Sequence, residues 1–139
     1  MKTKIEYKSF NNNKAIEELQ YNLLQKRETL RNLIAEHQFY TFLLNAPIYK
    51  SLALNLFETL EGFKSEIEKV DQKTKMLLNE IGMQLYQIDK KIECQDLVCD
   101  NFFIKEIDNL EYKTSIFLID IIDLKSRIFQ YLQHVIIKS

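Results

Sequence analysis

An all-α fold, an antiparallel three-helix bundle of long coiled-coil-like helices, follows from three observations. Apolar residues recur at alternating steps of three and four in three separate stretches, the spacing that holds one stripe on one helical face. The interruptions between those stretches are short and carry helix-breaking or capping residues. Two glycines and one proline in 139 residues are too few for a loop-rich or all-β chain.

The first stripe is Ile16, Leu19, Leu23, Lys26, Leu30, Leu33, His37, Tyr40 and Leu44, apolar except at Lys26 and His37. Asn13 is a capping residue, and Glu17 and Glu18 complement the positive end of the helix dipole. The spacing predicts a helix over residues 14–45, with residues 1–13 a flexible tail. Pro47 disfavours helix at Ala46 and closes it.

The second stripe is Leu56, Leu60, Phe63, Ile67, Val70, Thr74, Leu77, Ile81, Leu85, Ile88 and Ile92, broken only at Thr74. Asn55 and Glu58 have the spacing of a capping box, and the helix is expected over 52–93, with a start as early as Pro47. From Leu77 through Ile81 to Leu85 both steps are four, beside Gly82, which predicts relaxed supercoiling and a slight bend.

The third stripe is Phe103, Ile107, Leu110, Thr114, Phe117, Ile121, Leu124, Ile128, Tyr131 and Val135, after a segment, 93–100, that loses the period. Asp100 or Asn101 can cap it, giving a helix over 101–137. At 1.5 Å per residue each helix is about 50–60 Å long, and short connections between such helices imply an up-down-up bundle over residues 14–139.

The third helix carries a second apolar row, Leu118, Ile122, Phe129, Leu132 and Ile136, with Ile104, Ile119 and Ile137 beside it. A peripheral bundle helix needs one apolar face of about 100°. Either this helix sits deeper and touches both neighbours, or the extra row is exposed and binds a second copy or another protein.

Composition narrows the function classes. With 46% hydrophobic residues the chain can bury an elongated core. A net charge of −1 removes electrostatic attraction to nucleic acid or an anionic membrane, so neither is an expected partner. Three arginines against sixteen lysines supply few bidentate phosphate ligands. The most apolar window, Ser115 to Leu124, holds Asp120 and Asp123 and falls short of the ~20 apolar residues a spanning helix needs. Met1 to Asn13 has lysines with no apolar run behind them, so no secretory leader is expected and the reading is cytoplasmic.

No cofactor is implied, and no chemical motif stands out. Cys94 and Cys99 have a permitted zinc half-site spacing, but one pair is half a site. The topology puts His37 and His134 at the other end of the rod, leaving two reduced thiols as the expected state. His37 and Lys26 on the first stripe read as polar residues that fix helix register. Glu17-Glu18, Glu66-Glu68 and Asp120-Asp123 read as solvated helix faces with lysine partners. Neither histidine has a glutamate three residues before it, as a di-iron bundle requires. Nine phenylalanines and seven tyrosines fall largely on or beside the stripes, which favours core packing over base stacking.

Arg31-Asn32, four residues and His37 resemble the catalytic signature of the HEPN ribonucleases, all-α domains in which Arg and His act on RNA at a dimer cleft. The resemblance covers seven residues and implies Arg31 and His37 as catalytic groups. It departs from that family in lying early in the chain and inside a continuous periodic helix. A step of six also sets the two side chains about 120° apart on one helix. The stretches Glu36–Leu44 and Asn55–Leu60 together with the Cys94/Cys99 loop resemble small all-helical proteins of Bacteroidetes-type bacteria, which implies a bacterial protein and assigns no residue a role. The expected function is therefore non-enzymatic: protein–protein interaction, by self-association as a homodimer or by binding or inhibiting a partner, with the ribonuclease as the alternative.

Overall fold

The computed structural model describes residues 16–94 and 100–137. The N-terminal tail of 1–13, the expected cap at Asn13, Cys99 and most of the second connection lie outside the described residues. Three helices account for nearly all of the rest: α1 (Ile16–Asn45), α2 (Leu56–Cys94) and α3 (Asp100–Val135). No strand is present among the described residues, and the all-α bundle expected from the stripes is the fold observed.

Cross-helix side-chain pairs set the directions. Gln20 donates to Asp89 at 2.8 Å, His37 meets Asp71 at 3.3 Å and Lys64 reaches Asn45 at 2.7 Å, so α2 runs back along α1. Lys113 on Glu80 (2.8 Å) and Arg127 on Glu66 (3.0 Å) bring α3 back along α2. Lys125 on Glu36 (3.0 Å) and Phe129 against Tyr40 place α3 parallel to α1. The α1–α2 pair is the most intimate, and α3 stands further from both. Phe103, Phe117 and Ile121 of α3 fill the wider seam on its side.

The stripes form the core, in two zones. One gathers Leu19, Leu23, Leu30, Leu33, Leu77, Ile81, Leu85, Ile88, Ile107 and Phe117. The other gathers Tyr40, Leu44, Leu60, Phe63, Ile67, Leu124, Ile128 and Val135. Burying each such side chain stabilises the fold by about 1.5–3 kcal/mol relative to leaving it in water. His37 and Thr74 lie between the zones, and Val70 packs against both. The buried threonines are satisfied inside their own helices: the Thr74 hydroxyl donates to the Val70 carbonyl at 2.7 Å and Thr114 to Leu110 at 2.8 Å. They therefore interrupt the apolar stripes without leaving an orphaned hydroxyl.

Two boundaries differ from the sequence expectation. α2 starts at Leu56 rather than at 52, because Asn55 sits at φ 55°, a left-handed conformation that a helix interior excludes and asparagine tolerates. The Asn55 carbonyl accepts from Thr59 at 3.0 Å, which places the break immediately before the first turn. α3 ends at Val135 rather than at 137, because Ile136 leaves the helix to pair with Tyr49 as an isolated antiparallel bridge. α2 runs unbroken through Gly82.

A Cβ at Gly62 or Gly82 would meet nothing within 4 Å. Both positions lie in the interior of α2, where glycine costs about 0.5–1 kcal/mol relative to alanine. Gly62→Ala and Gly82→Ala are each expected to raise unfolding free energy by about that amount, read by urea denaturation, and the double variant by nearly their sum because the sites are far apart.

The Tyr40 hydroxyl is made less acidic than an ordinary tyrosine by burial and then by the Glu36 carboxylate beside it; burial does the same for Tyr49, whose hydroxyl donates to the Leu43 carbonyl. A value raised on folding means the native state holds these protons more tightly. The associated stability is complete below about pH 10 and is lost as pH rises through the folded values. Tyr49→Phe is expected to cost about 1 kcal/mol near neutrality and to remove part of the alkaline loss, measured by denaturation on either side of that pH.

Candidate functional site

The second row on α3 divides between the two readings. Leu132 is only 4% exposed and belongs to the core zone around Ile128, so it is not a surface anchor. The reason is angular: Leu132 follows Ile128 by four residues and sits only about 40° round the helix from it. Leu118 packs half-buried against one core zone, and Ile136 against the other. Ile104, also beside the row, is buried. Ile122 lies about 100° beyond the core residue Ile121 and is 63% exposed. Phe129 is also exposed. Tyr112, Ile116 and Ile119 continue this outward face, so the accessible row is Tyr112, Ile116, Ile119, Ile122 and Phe129.

At its C-terminal end the row meets α1. Phe129 stands edge-on to the buried Tyr40, centroids 5.7 Å apart, and Phe39 lies tilted against the same ring at 6.1 Å. Phe39 and Phe129 are both exposed, so two accessible aromatic rings contact Tyr40 where α1 and α3 meet. Lys125 on Glu36 closes the same line at 3.0 Å. On the α2 side, Arg127 forks onto Glu66 (3.0 and 3.2 Å) and also binds Asp123 (3.0 Å), and these carboxylates hold its guanidinium charged still more firmly than usual. The exposed apolar row therefore runs between charged clamps that tie α3 to both neighbours.

A second exposed apolar group lies at the end of the rod that carries the α1–α2 connection. Leu52 is 95% exposed and Leu54 86%, with Phe42 and Phe57 also in water. The periodicity reading missed it by assigning 52–55 to the second helix. The available signal was the presence of two leucines between the only proline and Asn55, outside any stripe.

Arg31 and His37 are not brought together within the chain. Arg31 is exposed and pairs with Glu28 at 3.1 Å, one turn back on its own helix. His37 is 2% exposed and turns into the α1–α2 seam, where its Nδ1 lies 3.3 Å from Asp71 Oδ1. Asp71 is also held by Lys75 at 3.1 Å. His37, Thr41, Glu68 and Asp71 line a shallow open groove, but nothing in it pairs the histidine with an arginine. Cys94 is the last residue of α2, and Cys99 lies outside the described residues. Among the described residues no group of three or more His, Cys, Asp or Glu is placed to hold a metal, and no helix is long and apolar enough to cross a membrane.

No family model, curated protein or solved structure matches the chain.

The division of the α3 row has a direct test. Leu132→Ala is expected to cost about 2–4 kcal/mol of stability, as large-to-small core changes do, whereas Ile122→Ala is expected to change it by about 0.5 kcal/mol or less. Thermal and urea unfolding of the two variants read the difference.

Proposed function

We propose that this chain is a non-enzymatic interaction protein, a rigid three-helix rod that docks a helix of another protein, or of a second copy, along the outer face of α3. The observation that carries this reading is the set of exposed apolar residues Ile116, Ile119, Ile122 and Phe129, spread over about 140° of the outer face of α3, on a helix whose core stripe is already buried against its neighbours. A helix laid along such a face reads anchors at steps of three and four, and the flanking ion pairs Lys113–Glu80, Lys125–Glu36 and Arg127–Glu66 would form a charged rim. Capture and inhibition of an enzyme by occlusion is one form the same docking could take. We place this action in the cytoplasm, with the two cysteines as reduced thiols.

The ribonuclease alternative rests on Arg31 and His37. It would require His37 to leave the seam with Asp71 and a second chain to present Arg31, and no contact described above favours that movement.

Ile119→Glu/Ile122→Glu puts two charges on the row while touching no core residue. A recombinant rod carrying this pair should fold as the wild type does, with unchanged helicity and melting. It should lose the protein that immobilised wild type retains from host extract. Equal retention by both rods would sink the reading. Cleavage of RNA by the wild type that disappears in His37→Ala would establish the alternative instead.

A further inference from the structure

Ile104 and Asp108 are buried on a flank of α3 that lies in water further along the helix. Each follows a core residue by one step, Phe103 and Ile107, and so stands about 100° round the helix from it. Ile122, one step past the core residue Ile121, lies 18 residues beyond Ile104, about five full turns on and at the same azimuth. Yet Ile122 is 63% exposed and Ile104 only 9%. Ser126, at the azimuth of Asp108, is exposed, whereas Asp108 is 3% exposed. The neighbouring helices do not account for this contrast. α2 lies on the other side of α3, where Lys113 meets Glu80 and Arg127 meets Glu66. α1 runs beside Ile122 as well, at the Lys125–Glu36 pair, and leaves it in water. That pair spans 89 residues, as does the Phe129–Tyr40 contact. Carried back along the two parallel helices, the same offset sets Asp108 level with Leu19 and Ile104 level with the point where α1 begins. The burial is therefore found where α1 is only starting.

We infer that the cover is the chain's own segment before α1, residues 1–15, which acts as a basic strap docked on Ile104, Asp108 and Glu111. Three features favour this occupant. The first is position. The segment joins the rod at the first turn of α1, level with Ile104. Extended, it reaches about 50 Å, against about 10 Å of helix from Ile104 to Glu111. The second is charge. A buried carboxylate is paired or hydrogen-bonded, and Glu18, Asp108 and Glu111, all at this end of the rod, are each engaged in a polar interaction. The segment holds Lys2, Lys4, Lys8 and Lys14 against Glu6 alone. The third is apolar surface, since Ile5, Tyr7 and Phe10 stand among those lysines and can keep Ile104 dry. The connection between α2 and α3 suits the patch less well. Gln95-Asp96-Leu97-Val98-Cys99 brings a further carboxylate and no cation, and Asp108 lies about two turns past the start of α3. The patch precedes Ile116–Phe129 on α3, so this inference does not rest on the docking reading.

The test uses the full chain in a Cys94→Ser/Cys99→Ser background. A nitroxide on Ser9→Cys should broaden the amide resonances of Phe103–Glu111 and leave those of Ile122–Arg127 sharp. Broadening that never reaches α3 overturns the inference. Accessibility gives a second reading. Ile104→Cys should react with a maleimide roughly tenfold or more slowly than Ile122→Cys, because its reaction awaits local opening of the strap. Lys4→Glu/Lys8→Glu sets carboxylates against Asp108 and Glu111, and should raise the Ile104→Cys rate to that of Ile122→Cys while α-helicity is kept. Equal rates before any charge is reversed overturn the inference. So does slow labelling that survives the reversal, which would assign the cover to the connection 95–99. The nitroxide reading leaves every lysine in place, and decides the matter even where the charge reversal unsettles the fold.

Discussion

Burial of one apolar stripe per helix in a shared seam is the constraint from which the other features take their positions. Isolated helices of this length gain little from propensity alone, and their stability comes from the packed face. The α1–α2 pair forms the tight half of that seam, and α3 completes it with large side chains, Phe103, Phe117 and Ile128 among them. Once the seam is occupied, the rotation of each helix is set. Whatever apolar residues lie off the stripe are then either flanking the core, as Leu118 does, or left in water, as Ile119 is.

Polar residues inside the seam supply alignment rather than strength. His37 meets Asp71 from the opposite helix, and Asp71 is tethered by Lys75, so sliding α1 against α2 by a turn would leave the buried imidazole without its acceptor. An unsatisfied buried group of that kind costs about 1–3 kcal/mol. Thr74 and Thr114 impose no such condition, because each hydroxyl is satisfied four residues back on its own helix. Outside the core, Lys125, Lys113 and Arg127 each reach a carboxylate on a different helix. Exposed pairs of this sort contribute modestly to stability, and their value here is in holding α3 at its distance. The outer apolar residues of α3 thereby stand on a helix held by contacts to both neighbours.

Most of the architecture was legible in the residues. The stripes gave the number of helices, their faces and nearly every core residue, because periodicity is written within four residues of chain and needs no knowledge of neighbours. The boundaries near Asn55 and Val135 were less legible. One depends on a left-handed backbone at a single residue, and the other on a bridge between Tyr49 and Ile136, far apart in sequence. The site was legible only in part. A surplus of apolar residues on α3 could be counted, but Leu132 and Ile122 look alike in a string of letters and differ by about 80° of rotation about the helix axis. The exposed Leu52 and Leu54 were hidden for the opposite reason, having no period to mark them.

Order along the chain thus settled which residues form helices and which side of each helix must be dry, since both are consequences of a 3.6-residue turn and the cost of wetting apolar surface. The packed bundle alone decided how far the dry zone extends around α3. It also decided that His37 would face Asp71 rather than Arg31, and that two leucines would stand in water on a pinned loop. Each of these depends on the distance and azimuth of a partner helix, quantities fixed by contacts between residues remote from one another in the chain.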